Sequence, residues 1–359
     1  MAIVVRLVAL AIAVAPALAG AQAAAPAPRP PIPVVAAAAS PLVADVPGVR
    51  RAFVQVPGAR LQWLDFGGRG ETVVLLAGLG NSAWSYSAFG PALAREGFRV
   101  VALTRRAHGE SEAPAAGYGL DTLAADVVAF LDSLGVRRAH LVGHSLAGAE
   151  LTRLAARHPD RVGRLVYLDA AYDRQAQMAW MDRDPDPGPP AMTDADRASP
   201  AAYLAYQRRA RPDLAKAWGP AVERDYLASL VKGSDGTLRW RTPLARYGAM
   251  LTATAGAPPE YAAVRAPSLA IYARGPQMSA SLAERLAPTI RASLRDSVLA
   301  FERDVVGAWT DASIAQFRAA GGARCVVEMD AIHHVHLQRE REVVALVRDF
   351  LRGRPVSCR

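Results

Sequence analysis

The feature that most constrains the fold is a serine between a predicted strand and a predicted helix, within residues 139–151. Apolar residues before the serine are typical of the end of a buried strand, and helix-forming residues follow it. A serine at so sharp a turn takes a strained backbone conformation, which lifts its hydroxyl off the sheet. Gly143 and Ala147, two residues before and after, are small, as close packing of strand against helix requires. We therefore predict that Ser145 presents its hydroxyl to a substrate.

This stretch resembles the nucleophile elbow of the α/β-hydrolase family, which usually reads Gly-His-Ser-x-Gly-Gly. Gly143, His144 and Ser145 match that pattern, whereas Ala147 replaces a glycine and Gly148 follows it. We expect the alanine to widen the turn slightly without abolishing it. The resemblance implies a mostly parallel α/β sheet with helices on both faces and a helical cap inserted after its sixth strand.

The order of predicted elements agrees with that fold. Two strands at 53–56 and 61–66 read as a hairpin, and an amphipathic helix is predicted at 121–134. An apolar run typical of a strand covered on both faces is predicted at 72–76, and further strands are predicted at 98–103, 164–168, 268–272 and 324–329. Strands that alternate with helices imply a parallel sheet.

The catalytic base that would activate Ser145 is predicted to lie in the loop after the last strand, residues 330–337. The family's Gly-x-Gly-His-x-x-His-Leu pattern aligns His333 with the catalytic histidine, and His334 and His336 then pack or line the rim. Three close histidines are also a candidate metal site, but no Cys and no His-Glu-x-x-His spacing accompany them, so we expect neither metal nor cofactor. His108 is an alternative base, which we predict to be a surface residue of a structural loop.

The acid that would orient the catalytic histidine is predicted to be Asp169, at the end of the strand that follows the elbow helix. In many relatives the acid follows the next strand instead, but residues 273–277 contain no carboxylate. Some relatives, among them haloalkane dehalogenases, place it within a Tyr-x-acid-Ala pattern like that at 167–170. Asp173 is the reserve candidate.

The oxyanion donors implied by the resemblance are backbone amides. The family has His-Gly-x-Gly after its third strand, and this chain has Ala77-Gly78-Leu79-Gly80. The donors are then the N–H groups of Leu79 and Leu146.

Residues 173–263 interrupt the alternation and occupy the place where the family carries a cap. Apolar and aromatic residues there are candidates to line a pocket, although we expect most of them to pack the cap onto the core: Met178, Trp180, Met181, Tyr203, Tyr206, Trp218 and Tyr226. Trp84 and His144 are further predicted pocket residues. The long helical stretch at 279–320 has no predicted function.

The remaining domain boundaries follow from composition. Residues 1–23 read as a signal peptide and 24–48 as an extended Pro- and Ala-rich linker, with core segments at 49–172 and 264–359. An N-terminal membrane anchor is the alternative to export, which would be to the periplasm or beyond.

In the implied fold Cys325 and Cys358 return to the same edge, so we expect a disulfide. The net charge of +9 comes mostly from scattered arginines, so we predict no nucleic-acid partner.

Taken with the resemblance, Ser145, Asp169 and His333 follow the family's order of nucleophile, acid and base. They imply a serine hydrolase that cleaves an ester or related acyl bond of a small, apolar substrate. Serine in place of a carboxylate argues against dehalogenase or epoxide hydrolase chemistry. The same triad also serves lyases, perhydrolases and cofactor-free oxygenases, and a ligand-binding protein with vestigial catalysis is a further alternative. No stable membrane span is expected once the signal peptide is removed, and the sequence does not define an oligomeric state.

Overall fold

The computed structural model describes residues 34–36, 42–276, 280, 281, 284 and 291–358. The predicted signal peptide lies outside the described residues. Part of the predicted linker is described: Val34–Ala36 pairs as an antiparallel edge strand with residues 52–54, and Val43 is buried in the core. No helix among the described residues is long and apolar enough to cross a membrane.

The main sheet has nine strands in the order β1-β2-β3-β5-β4-β6-β7-β10-β11. The first three pair antiparallel, and the six from β5 to β11 pair in parallel. The strands are β1 (Val34–Ala36), β2 (Arg50–Val56), β3 (Ala59–Asp65), β4 (Thr72–Leu76), β5 (Arg99–Leu103), β6 (Ala139–His144), β7 (Val162–Leu168), β10 (Ser268–Ala273) and β11 (Arg324–Met329). A separate hairpin is formed by β8 (Leu230–Lys232) and β9 (Leu238–Trp240). The predicted fold class, a mostly parallel α/β-hydrolase sheet flanked by helices, is confirmed.

The described helices alternate with the parallel strands. Those of the core are α1 (Phe89–Arg95), α2 (Leu120–Ser133), α3 (Ala147–Arg157), α8 (Ala292–Phe301), α9 (Gly307–Ala319), α10 (Val335–Gln338) and α11 (Glu340–Leu351). Between β7 and β10 lie α4 (Arg174–Met181), α5 (Pro200–Ala210), α6 (Pro220–Ala228) and α7 (Leu244–Thr254). We refer to residues 173–263 as the inserted segment.

The sheet is buried on both faces. Along β4, Val74 and Leu76 join one apolar cluster with α2, α3 and α9, whereas Val73 and Leu75 join the cluster with α1 and α11. Successive residues of a strand point to opposite faces. Because both faces are covered, the strand is apolar at every position, which is why its continuous apolar run predicted it to the residue.

The loop after β5 is structural, as predicted, but His108 is not a surface residue. Arg106 forms a buried ion pair with Asp126 of α2 at 2.7 Å. His108 has no exposed surface: its Nδ1 lies 2.9 Å from the Arg106 carbonyl, and Tyr247 of α7 packs edge-on against its ring. Burial lowers the pKa of His108 to about 3. The prediction failed because the covering residue belongs to the inserted segment, far away in sequence.

Cys325 at the start of β11 and Cys358 near the end of the chain form a disulfide, with an S–S distance of 2.06 Å. The bond ties the residues after α11 back to the edge strand. The paired cysteines are those expected from the sequence.

Candidate active site

Ser145 lies at the tip of the turn between β6 and α3, with a φ of +55°. This left-handed conformation is rare for a residue with a side chain and indicates a constrained position. Two backbone hydrogen bonds hold it: the Ser145 N–H donates to the Leu168 carbonyl at 3.2 Å, and the Gly148 N–H donates to the Ser145 carbonyl at 3.0 Å. The backbone of Ser145 is therefore held in place by the end of β7 on one side and by the first turn of α3 on the other.

The packing around the turn explains how an alanine replaces the usual glycine. A Cβ at Gly143 would lie 2.9 Å from Leu151 Cδ1 and 3.0 Å from the Ala147 Cβ, so a side chain there would force these neighbours to shift. A Cβ at Gly148 would overlap the carbonyl oxygen of Ala170. A side chain at 148 would therefore collide with the chain after β7, whereas the methyl group of Ala147 is accommodated in the core.

His333 and Asp169 form the pair that the sequence predicted. His333 Nδ1 lies 2.5 Å from Asp169 Oδ2, and the other carboxylate oxygen accepts bonds from the Tyr172 hydroxyl at 2.5 Å and the Ala273 N–H at 2.9 Å. Asp169 is 1% exposed and has a φ of +47°. Because Asp169 occupies Nδ1, Nε2 is the ring nitrogen left to exchange a proton.

Asp173, the reserve acid, has a different position. It caps α4: its Oδ1 accepts the Ala176 N–H at 2.9 Å. It is not among the residues that line the cavity containing Ser145 and His333. The geometry therefore favours Asp169 as the partner of the histidine.

The loop after β4 lies directly against the serine. The Asn81 N–H donates to the Gly78 carbonyl at 3.2 Å and Gly80 has a φ of +80°, so residues 78–81 form a tight turn with Leu79 at its second position. A Cβ at Gly78 would lie 3.1 Å from the Ser145 Cβ. Among the described residues, the amides of Leu79 and Leu146 have no hydrogen-bond acceptor. Both residues line the same cavity as Ser145.

Arg105 fixes the start of that loop, a role that we did not predict. Its guanidinium donates to the Ala77 carbonyl at 2.7 Å and the Gly78 carbonyl at 3.3 Å, and it forms a buried ion pair with Glu150 of α3. Burial raises the pKa of the Glu150 carboxyl. The sequence did not single out Arg105, because its partners come together only in the folded sheet.

Four histidines pack together beside the turn. The rings of His333, His334 and His336 lie 4.5, 4.7 and 4.8 Å from the ring of His144, centroid to centroid. His144 Nε2 lies 3.0 Å from the His333 carbonyl, and burial lowers the pKa of His144, His334 and His336. His144 and His334 also line the cavity, whereas His336 is buried against Tyr86. No group of three or more His, Cys, Asp or Glu residues in the described part of the chain is arranged to hold a metal ion.

The cavity above Ser145 has a volume of about 470 Å³. Its aromatic lining residues are Tyr172, Trp180, Tyr203, Tyr206, Tyr226, Trp240, Tyr247, Phe301 and Trp309. Five of the seven candidates from the inserted segment line it, so the expectation that most of them only pack the cap onto the core was wrong: Trp180, Met181, Tyr203, Tyr206 and Tyr226. Three other predicted lining residues are absent from it. Trp84 is 1% exposed and lies in the core beneath α1, Met178 packs against the cluster around Leu146, and Trp218 stacks on Tyr226. Their apolar character did not distinguish core packing from a pocket wall.

One wall of the cavity comes from the stretch that had no predicted function. Val298 and Phe301 of α8 and Trp309 of α9 line it, on either side of a π-helical turn at Glu302–Val306. Trp309 stacks on Tyr172 with centroids 4.3 Å apart, next to Asp169. Turns of this type are frequent at functional sites, but they have no clear sequence signature.

Comparison with known proteins supports the fold. A model of the family described as alpha/beta hydrolase fold matches residues 71–245. The chain belongs to the α/β-hydrolase fold family. This α/β hydrolase is 40% identical over 104 residues to a putative non-heme haloperoxidase of Mycobacterium phage D29, covering 29% of this chain and 37% of that protein. It is 34% identical over 138 residues to bifunctional epoxide hydrolase 2 of Sus scrofa, covering 38% and 25% respectively.

Among solved structures, that of E-2-(acetamidomethylene)succinate hydrolase superposes with a TM-score of 0.60. The superposition covers 85% of this chain and 99% of the other, at 19% sequence identity. A likeness at that identity shows the fold. The two curated relatives are matched over less than two-fifths of their own lengths, so their names do not define the reaction of this hydrolase.

Proposed function

We propose that this α/β hydrolase is a serine hydrolase that cleaves an ester or related acyl bond through an acyl-enzyme intermediate. The observation that carries the proposal is the His333–Asp169 pair, which opens onto the same cavity as the strained Ser145. A serine hydroxyl is a weak nucleophile unless a base takes its proton, and an imidazole oriented by a carboxylate is such a base.

In this proposal, His333 Nε2 accepts the hydroxyl proton as Ser145 Oγ forms a bond to the substrate carbonyl carbon. The resulting oxyanion accepts hydrogen bonds from the amides of Leu79 and Leu146. Its collapse breaks the bond to the leaving group, which takes the proton from His333. Water then attacks the acyl enzyme by the same route, with His333 as base, and releases the acid and the free serine.

The nucleophile argues against transferring an epoxide hydrolase activity from the relative that carries that name. Opening of an epoxide through a covalent ester needs a carboxylate nucleophile, whereas residue 145 is a serine. The cavity supports a small substrate with an apolar or aromatic group, since its volume lies at the lower end of ligand pockets and aromatic side chains form much of its wall.

The test is active-site labelling followed by turnover of an ester panel. We expect a fluorophosphonate to label Ser145 in the native protein and not in Ser145→Ala. In the panel, Ser145→Ala is expected to lower kcat by about 10³-fold or more. Labelling without turnover of any ester would point to one of the non-hydrolytic reactions, and absence of labelling would overturn the proposal.

A matched pair of variants tests the acid. Asp169→Asn is expected to lower kcat by about 10⁴-fold, because the amide favours the wrong tautomer of His333. Asp173→Asn, four residues along the chain, alters only a helix cap and is expected to retain activity. If Asp169→Asn has nearly native turnover, the carboxylate has a structural role and the assignment is wrong.

We also propose that the protein is exported to the periplasm or secreted. The leader-like pattern of residues 1–23 supports this, and so does the Cys325–Cys358 disulfide, since such bonds persist in oxidising compartments. Mass spectrometry of the protein from its native host is expected to find a mature N-terminus near residue 20 to 24 and no free thiol. An intact Met1, or two titratable thiols in the unfolded, unreduced protein, would contradict it.

A further inference from the structure

A carboxylate of the inserted segment is hydrogen-bonded to the loop that carries the proposed oxyanion donor. Asp225 of α6 is 5% exposed, and its Oδ1 accepts the Ser82 N–H and the Ser82 hydroxyl, both at 2.6 Å. Its Oδ2 accepts the Asn81 side-chain amide at 2.6 Å. The two ends of this contact are 143 residues apart in the chain, so the contact joins the insert to the core.

The bonded residues end the turn that contains Leu79. Asn81 closes the turn through its N–H bond to the Gly78 carbonyl, and Ser82 caps the short 3₁₀ helix at Ala83–Tyr86. At the other end of the loop, Arg105 holds the carbonyls of Ala77 and Gly78. The turn is therefore held from both sides, and Asp225 is the partner on the side that follows Leu79.

The chemistry of the contact favours a specific role over incidental burial. A buried carboxylate is costly unless donors satisfy it, and no Lys, Arg or His among the described residues forms an ion pair with Asp225. Burial raises the pKa of Asp225 to about 6, and the bonds from Ser82 and Asn81 oppose that rise. The three donors are thus what keeps this acid charged at neutral pH.

We propose that Asp225 is a positioning residue, which fixes the Leu79 turn so that the Leu79 amide points at the developing oxyanion. The proposal rests on the proposed serine hydrolase function. It makes the catalytic competence of the core depend on the docking of the inserted segment. An oxyanion donor acts only if it is preorganised, so a turn released at one end is expected to stabilise the transition state less while binding the substrate almost as well.

The kinetic test compares Asp225→Asn and Asp225→Ala with Arg246→Ala. Arg246 of α7 also joins the insert to the core, since it donates to the Ala115 carbonyl at 2.7 Å, but it does not touch the Leu79 turn. We expect Asp225→Ala to lower kcat by about 10- to 100-fold with KM changed less than about threefold, Asp225→Asn to be milder, and Arg246→Ala to behave like the native protein. If kcat of Asp225→Ala stays within twofold of native, or if Arg246→Ala lowers it equally, the proposal is wrong.

A second measurement does not depend on turnover, so it can refute the positioning role of Asp225 without refuting the serine hydrolase function. Hydrogen–deuterium exchange of the peptide that spans residues 77–83 is expected to accelerate in Asp225→Asn and to stay native in Arg246→Ala. Unchanged exchange in Asp225→Asn would overturn the positioning role even in an active enzyme. If Ser145→Ala turned over esters like the native protein, the serine hydrolase proposal would be overturned, whatever the exchange data show.

Discussion

The buried histidines beside the turn predict that this protein loses stability in mild acid. His336 is 1% exposed, neither ring nitrogen has a partner among the described residues, and burial together with the charge of His333 lowers its pKa to about 3. In the unfolded chain a histidine takes up a proton near pH 6.5. The unfolded state therefore binds more protons than the folded state between these values. The stability contribution is complete above pH 6.5 and is lost as the pH falls toward 3.

The size of the effect follows from the shift. One pH unit corresponds to about 1.4 kcal/mol for each proton taken up on unfolding, so His336 alone costs about 2 kcal/mol between pH 8 and pH 5. His336→Leu, of similar volume, removes that proton. Whatever packing the leucine loses or gains is independent of pH, so the prediction concerns the slope of stability against pH and not its absolute value.

Urea unfolding at several pH values between 8 and 5 measures the slope. We expect the free energy of unfolding to fall by about 2 kcal/mol less in His336→Leu than in the native protein over this range. Phe89→Leu is the control, because Phe89 packs edge-on against the same ring and carries no titrating group. It is expected to lower stability by a similar amount at every pH. Equal slopes in the native protein and His336→Leu would show that His336 takes up its proton over the same pH range in the folded and unfolded states, and would refute the reasoning.

Three further predictions concern single contacts. Tyr172→Phe removes the hydroxyl bond to Asp169 and is expected to lower kcat about 10-fold while the fold is kept, as steady-state kinetics and circular dichroism would show; an unchanged kcat would contradict it. Gly148→Ala places a methyl group on the Ala170 carbonyl and is expected to destabilise the protein by more than about 2 kcal/mol in urea unfolding, so a native midpoint would refute the packing argument. Cys358→Ser opens a disulfide with a sequence separation of 33 and is expected to lower the free energy of unfolding by about 3–4 kcal/mol relative to the oxidised native protein, as urea unfolding would show. Against the reduced native protein, the difference should vanish.

Local signals in the sequence predicted the sheet and the order of the candidate catalytic residues. The strand at 72–76 matches to the residue because a strand buried on both faces is apolar throughout. The glycine-rich turns before Leu79 and around Ser145 were visible because close backbone approach permits little else there. Asp169 was found from the absence of a carboxylate after β10, and the structure places it 2.5 Å from His333.

Features that depend on distant segments were missed or misplaced. His108 and Trp84 are buried by elements far away in sequence, and the β8–β9 hairpin is built from two strands of three residues, too short for a periodic pattern. The wall of the cavity formed by α8 and α9, and the Asp225 contact with the Leu79 turn, are likewise invisible in the chain.

By itself, the sequence determined the long buried strands of the sheet, where the chain must turn sharply around Ser145, and which cysteines pair. Those properties follow from hydrophobic periodicity, from the conformational freedom of glycine and from covalent chemistry, all of which act over a few residues or through one bond. Only the tertiary structure decided which aromatic side chains face the cavity and which of the two candidates, Asp169 or Asp173, meets His333. It also decided that Asp225 of the inserted segment accepts hydrogen bonds from the residues that end the Leu79 turn. The reason is that burial and hydrogen-bond partnership depend on which distant surfaces meet, and the same residue types serve equally well in a core, on a cap or at a site.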